Sequence, residues 1–144
     1  MSVTLVAPVA TTLTPPTTER ASTAAIVATR ATTFMRAQAQ WLRRGLEHAG
    51  DTVALGIVLA AHDRSHERWV AHIHAVEQDL GEGAAAAVSA TYAYLGRVAG
   101  SLESGSMSLL EPEVATQARQ QLAARLTDIT EQAVEGLWKA AASV

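Results

Sequence analysis

Three features of this 144-residue chain predict an all-α fold, a bundle of about four amphipathic helices or a pair of elongated helical hairpins. Apolar residues recur at alternating steps of three and four through four long segments. Glycine clusters and a proline fall between those segments, at Gly50, at Gly81 to Gly83 and at Pro112. No strand-like alternation and no tandem repeat competes with them. Apolar residues make up 49% of the chain and charged residues 17%, which sets it apart from disordered sequences. The chain suits one domain with one core.

Residues 1–17 are rich in Thr, Val, Ala and Pro and read as an N-terminal arm ahead of a helical domain over 18–144. Thr17 or Thr18 is suited to cap the first helix, because a hydroxyl accepts from exposed first-turn N–H groups. That helix is expected over about 18–49. Val27, Phe34, Trp41 and His48 form one column along it. Ala28, Met35, Leu42 and Ala49 form the next, with Ala24, Ala31, Gln38 and Gly45 beside them. Together they make one broad apolar arc. Thr29, Arg30, Arg36, Arg43 and Arg44 fall opposite.

Gly50-Asp51 reads as a left-handed stop followed by a helix cap, and so as the turn of an antiparallel hairpin. The second helix is expected over about 51–80. Its stripe is Leu55, Leu59, His62, His66, Trp69, Ile73, Val76 and Leu80. From Val53 to Ala61 it is apolar all round, so it needs neighbours on every side or a partner. A third helix over about 84–100 places Ala85, Val88, Tyr92, Leu95, Ala99 and Leu102 on one side, and 101–111 reads as a loop. Pro112 suits a helix first turn. The fourth helix, about 112–142, aligns Ala115, Ala118, Leu122, Leu126, Ile129, Ala133, Leu137 and Ala140.

The net charge of −3 gives no argument for nucleic acid, and none is expected as a partner. The distribution says more. Residues 19–49 carry five Arg (20, 30, 36, 43, 44) against Glu19 and Glu47, a net +3. Residues 51–80 carry Arg64 and Arg68 against Asp51, Asp63, Glu67, Glu77 and Asp79, a net −3. A basic helix beside an acidic one favours pairing, within the chain or between subunits. There is no Cys, hence no disulfide framework, thiolate metal site or Cys nucleophile. The first residues lack a secretory pattern, and no stretch approaches the ~20 apolar residues of a membrane span. The expected location is cytoplasmic.

No phosphate-binding glycine loop, nucleophile elbow or zinc-finger spacing occurs, so no cofactor and no reaction is indicated. Four of the five His lie between His62 and His74. His62 and His66 are one turn apart, a spacing that lets two imidazoles converge on a metal or small ligand. The flanking carboxylates do not complete the di-iron pattern, which needs Glu on two helices and Glu-x-x-His on two others. About a hairpin at Gly50 the pair would face Met35, Gln38 and Ala39, with Gln38 able to hydrogen-bond a buried imidazole. Tyr92 and Tyr94 read as packing residues. Ile26, Val53, Ile57, Val134 and Trp138 lie off the main stripes, and several such residues on long helices mark a second contact surface.

The segment Arg36-Ala37-Gln38-Ala39-Gln40-Trp41-Leu42, leading into the helix from Asp51, resembles phasins. These are small bacterial proteins that coat polyhydroxyalkanoate granules. The likeness covers roughly residues 25–100 and is one of long Ala- and Gln-bearing amphipathic helices without Cys. It implies a homo-oligomeric, non-enzymatic protein whose apolar helix faces adsorb to a granule. Three functions follow from the sequence. The first is a self-associating helical protein that coats or scaffolds a larger assembly. The second is a bundle that binds a metal or small ligand at His62 and His66. The third is an adaptor that binds a partner protein through residues 1–17.

Overall fold

The computed structural model describes residues 15–144, side chains from residue 19. The expected arm therefore lies outside the described residues except for its last three, which open a helix. Five α-helices follow: α1 (Pro15–Glu47), α2 (Thr52–Arg64), α3 (His66–Leu80), α4 (Glu82–Ser104) and α5 (Pro112–Ala142). A short 3-10 turn, Ser106–Leu109, joins the last two. The described residues contain no strand, so the chain is all-α.

α1 packs against every other helix, α5 most extensively. Ala24, Ala28, Ala31, Met35, Leu42 and Leu46 form its buried line. The alanines let neighbouring backbones approach, while Met35, Leu42 and Leu46 fill the space further along the helix. Trp41 and His48, placed by the sequence within the arc, fall on its exposed edge. Thr17 and Thr18 lie inside the first turns of α1, not before it, because the helix opens at Pro15.

Asp51 caps α2 as its residue type predicts. Its Oδ1 accepts from the N–H groups of Val53 and Ala54, both at 3.1 Å. Gly50 does not take the left-handed conformation; among the described residues only Gly81 (φ +98°) and Gly105 (φ +67°) have positive φ. Those two stop α3 and α4, where a side chain would be strained.

The expected helix over 51–80 is divided at Ser65. This residue is wholly buried. Its Oγ donates to the His62 carbonyl at 2.6 Å, and its N–H donates to the same oxygen at 3.1 Å. A serine that tightens the chain to the carbonyl three residues back competes with the regular ladder, and the helix breaks there. Both halves still lie along α1 in one antiparallel register. Phe34 meets Trp69 with ring centroids 4.9 Å apart, and Gly45 faces Val58.

α4 is longer than expected and carries its predicted face inward, with Ala85, Val88, Leu95, Ala99 and Leu102 all buried. In α5, Ala115, Leu126, Ala133 and Leu137 are buried as the stripe predicts. Arg36 reaches from α1 to α5 and donates to both carboxylate oxygens of Glu131, at 2.9 and 2.6 Å. That hydrogen bonding holds the Glu131 carboxyl below its usual range. Both side chains are about half exposed, so the pair adds little stability, under about 1 kcal/mol, but it fixes how α1 and α5 align.

Candidate functional site

Two features stand out once the core is accounted for: apolar side chains left on the surface, and an aromatic-histidine cluster built from α1, α2, α3 and α4.

The inward face of α2 buries one side chain completely, Val58, while Val53 is 74% exposed and Ile57 56%. A short helix of mostly apolar residues cannot turn them all toward one neighbour. Most of the exposed apolar residues lie toward the two ends of the molecule, with Val70 and Trp41 between them. Gly45 lies against Leu102, so the α1–α2 turn and the end of α4 share one end. Val53 and Ile57 lie there, as do exposed Leu109, Leu110 and Val114 around the α4–α5 connection. Ile26, Trp138 and Val144 are exposed toward the other end. Val134, expected on the second contact surface, is instead 5% exposed and belongs to the core. It sits on the side of α5 turned toward α1, a side whose width the single stripe understated. Leu109 and Leu110 lie in a segment that reads as a loop and has no periodicity, and Trp41 lies in a column that reads as inward. The Arg44 guanidinium lies 5.3 Å from the exposed Trp41 ring.

Trp69 is the centre of the second feature. It is fully buried, edge-on to Phe34, and stacked on Tyr92 at 4.8 Å. Phe34 in turn stacks on His72 at 4.5 Å, with the Arg68 guanidinium 5.7 Å from its ring. On the other side, His62 and His66 flank Tyr92, with ring centroids 6.1 and 5.8 Å away. The sequence-predicted pair is thus brought to one place, but its partner is Tyr92 of α4. With the His66 proton on Nε2, the Tyr92 hydroxyl donates to His66 Nδ1 at 2.7 Å. Gln38 is buried on α1 as expected, yet it satisfies neither imidazole: His62 Nδ1 is buried without a hydrogen-bond partner. Reflecting α3 onto α4 about Gly81, as the first hairpin was reflected about Gly50, would have found Tyr92.

The cluster is joined by ring contacts and one side-chain hydrogen bond. His66 Nδ1 is engaged by Tyr92. Among the described residues no three His, Cys, Asp or Glu side chains converge as a metal set. His62 and His66 therefore stand as two imidazoles without a third ligand.

Burial lowers the pKa of His62, against a smaller opposing pull from Asp63. Burial also lowers that of His72, helped by the charges of Arg30 and Arg68. The unfolded chain then binds protons more readily than the folded one. Stability is complete above the ordinary value of 6.5 and falls as pH drops below it toward the folded-state values. Urea unfolding at pH 7.5 and 5.5 is expected to show the loss, and His62→Gln/His72→Gln to reduce it. An unchanged pH dependence in that variant would refute the assignment.

No helix of the described residues is long and apolar enough to cross a membrane. Comparison with protein-family models, with characterised proteins and with solved structures gives no match to this chain.

Proposed function

We propose that this chain is a non-enzymatic helical interaction protein of the cytoplasm that self-associates and coats or scaffolds a larger assembly. In this reading α2 and α3 act as one bent rod, so the five helices form a bundle of four rods. The observation that carries it is the outward pair Val53 and Ile57, on a helix that gives only Val58 fully to its own core. Leu109, Leu110 and Val114 extend the apolar surface at the same end. Apolar surface gathered in one region marks a contact site, whereas scattered apolar residues do not. An apolar granule of the kind phasins coat has the chemistry to receive this surface, and a second copy of the chain has it too.

The test is Val53→Ser/Ile57→Ser. Both side chains are exposed, so the variant should keep its helicity by circular dichroism. Hiding one such side chain from water contributes about 1.5–3 kcal/mol, so self-association should weaken by at least about tenfold. An unchanged molar mass in a folded variant would contradict the reading.

A further inference from the structure

Two arginines and a histidine meet on the seam between α1 and α3. His72 of α3 stacks on Phe34 of α1 at 4.5 Å. The Arg68 guanidinium, one turn earlier on α3, lies 5.7 Å from the same ring. Arg30 stands one turn before Phe34 on α1, and its charge, like that of Arg68, acts on the His72 imidazole. Both arginines are exposed, and His72 is half-buried between them and the ring.

No acid answers this charge. Among the described residues the ion pairs within 4 Å are Arg36 with Glu131 and Lys139 with Glu135, so neither Arg30 nor Arg68 has a carboxylate partner. α3 carries exposed Glu67, Glu77 and Asp79, and none of them pairs with the cluster. The charges that act on His72 from α1 and from α3 are both positive.

Such a grouping is unfavourable on its own, because like charges repel and burial penalises a charged imidazole. Ring contacts hold it in place. Phe34 is fixed edge-on to the buried Trp69, and Arg68 and His72 gather on Phe34. The donors are therefore set in position before any counter-charge arrives, which lowers the cost of binding one.

We infer that Arg30, Arg68 and His72 bind the phosphate group of a soluble phosphate monoester. A phosphate monoester brings three acceptor oxygens and up to about two negative charges at neutral pH, enough to meet two guanidinium groups and an imidazole together. A carboxylate has two oxygens and one charge and leaves one of the three unmet. Arg30 and Arg68 donate to the phosphate oxygens, and His72 donates once its ring is protonated. Burial, and then the charges of Arg30 and Arg68, hold the His72 pKa down in the free chain. A bound dianion opposes those charges, so binding draws a proton onto His72. The site is separate from the apolar surface of α2 and does not depend on self-association.

The His72 ring-proton signal, assigned with His72→Gln, is followed by NMR at constant ionic strength as inorganic phosphate and then glycerol 3-phosphate is added. Both should move it saturably and raise its titration midpoint by about one pH unit, a tenfold change in proton affinity. Arg30→Gln/Arg68→Gln, checked for helicity, should bind phosphate at least about tenfold more weakly. If that chain loses helicity, Arg30→Gln and Arg68→Gln singly carry the same test. Acetate moving the signal as far as phosphate would show screening alone and overturn the inference. A phosphate response retained without the two arginines would overturn it too. If neither soluble probe acts but the chain co-sediments with phosphatidic acid vesicles, the seam faces a membrane and the inference fails.

Discussion

Trp69→Ala is expected to cost about 3–5 kcal/mol, the range for removing a large buried aromatic side chain. Trp69 is the largest fully buried side chain among the described residues. It belongs to α3, meets Phe34 of α1 on its edge and stacks on Tyr92 of α4. Three helices therefore lose a shared contact at once. The void cannot close easily. Phe34 is held from behind by His72, and Tyr92 by its hydrogen bond to His66. Trp69→Phe should cost much less. The ring contacts survive in part, and the Trp69 Nε1–H has no hydrogen-bond partner to lose. Urea unfolding of both variants checks this, with the midpoint falling and the slope constant. An alanine variant within 1 kcal/mol of wild type, a bound far below the usual cost, would mean that the cluster is not the junction described.

Gly45→Leu is expected to lower stability by about 3 kcal/mol, the upper end of ordinary overpacking. A Cβ at this position would lie 3.1 Å from Val58 Cγ1 and 3.2 Å from Leu102 Cδ1. Val58 is β-branched and cannot rotate away freely. Leucine would add three further carbons to a space already closed, prising α1 from α2 and α4 at the end where the apolar surface gathers. The control is Gly96→Ala on α4, where a Cβ meets nothing within 4 Å. There the only change is helix propensity, and the variant should gain about 1 kcal/mol. A Gly45 variant as stable as wild type would show that the helices do not approach as closely as this.

The chain's periodicity made most of the fold legible. The main buried stripes of α4 and α5 were readable because their apolar residues recur at helical spacing. The division at Ser65 was not, because a serine in a helical pattern does not reveal which carbonyl its hydroxyl will find. Gly50 misled in a similar way: a glycine permits the left-handed conformation without requiring it. The outward positions of Val53, Ile57, Ile26 and Trp138 followed from helical phase, whereas Val134 did not. α5 touches both α1 and α4, and its buried arc is wider than one stripe. Both His62 and His66 lie beside Tyr92, whereas a hairpin about Gly50 points to Gln38 of α1 as their partner. Only the turn at Gly81, which returns Tyr92 to their level, decides that point.

The central claim is that apolar surface not used by the chain's own core drives self-association. Its most direct test is the molar mass of the wild-type protein by light scattering across a wide concentration range. The mass is expected to rise with concentration to at least twice that of the 15.1 kDa chain. A mass that stays at one chain at the highest concentration reached would contradict it.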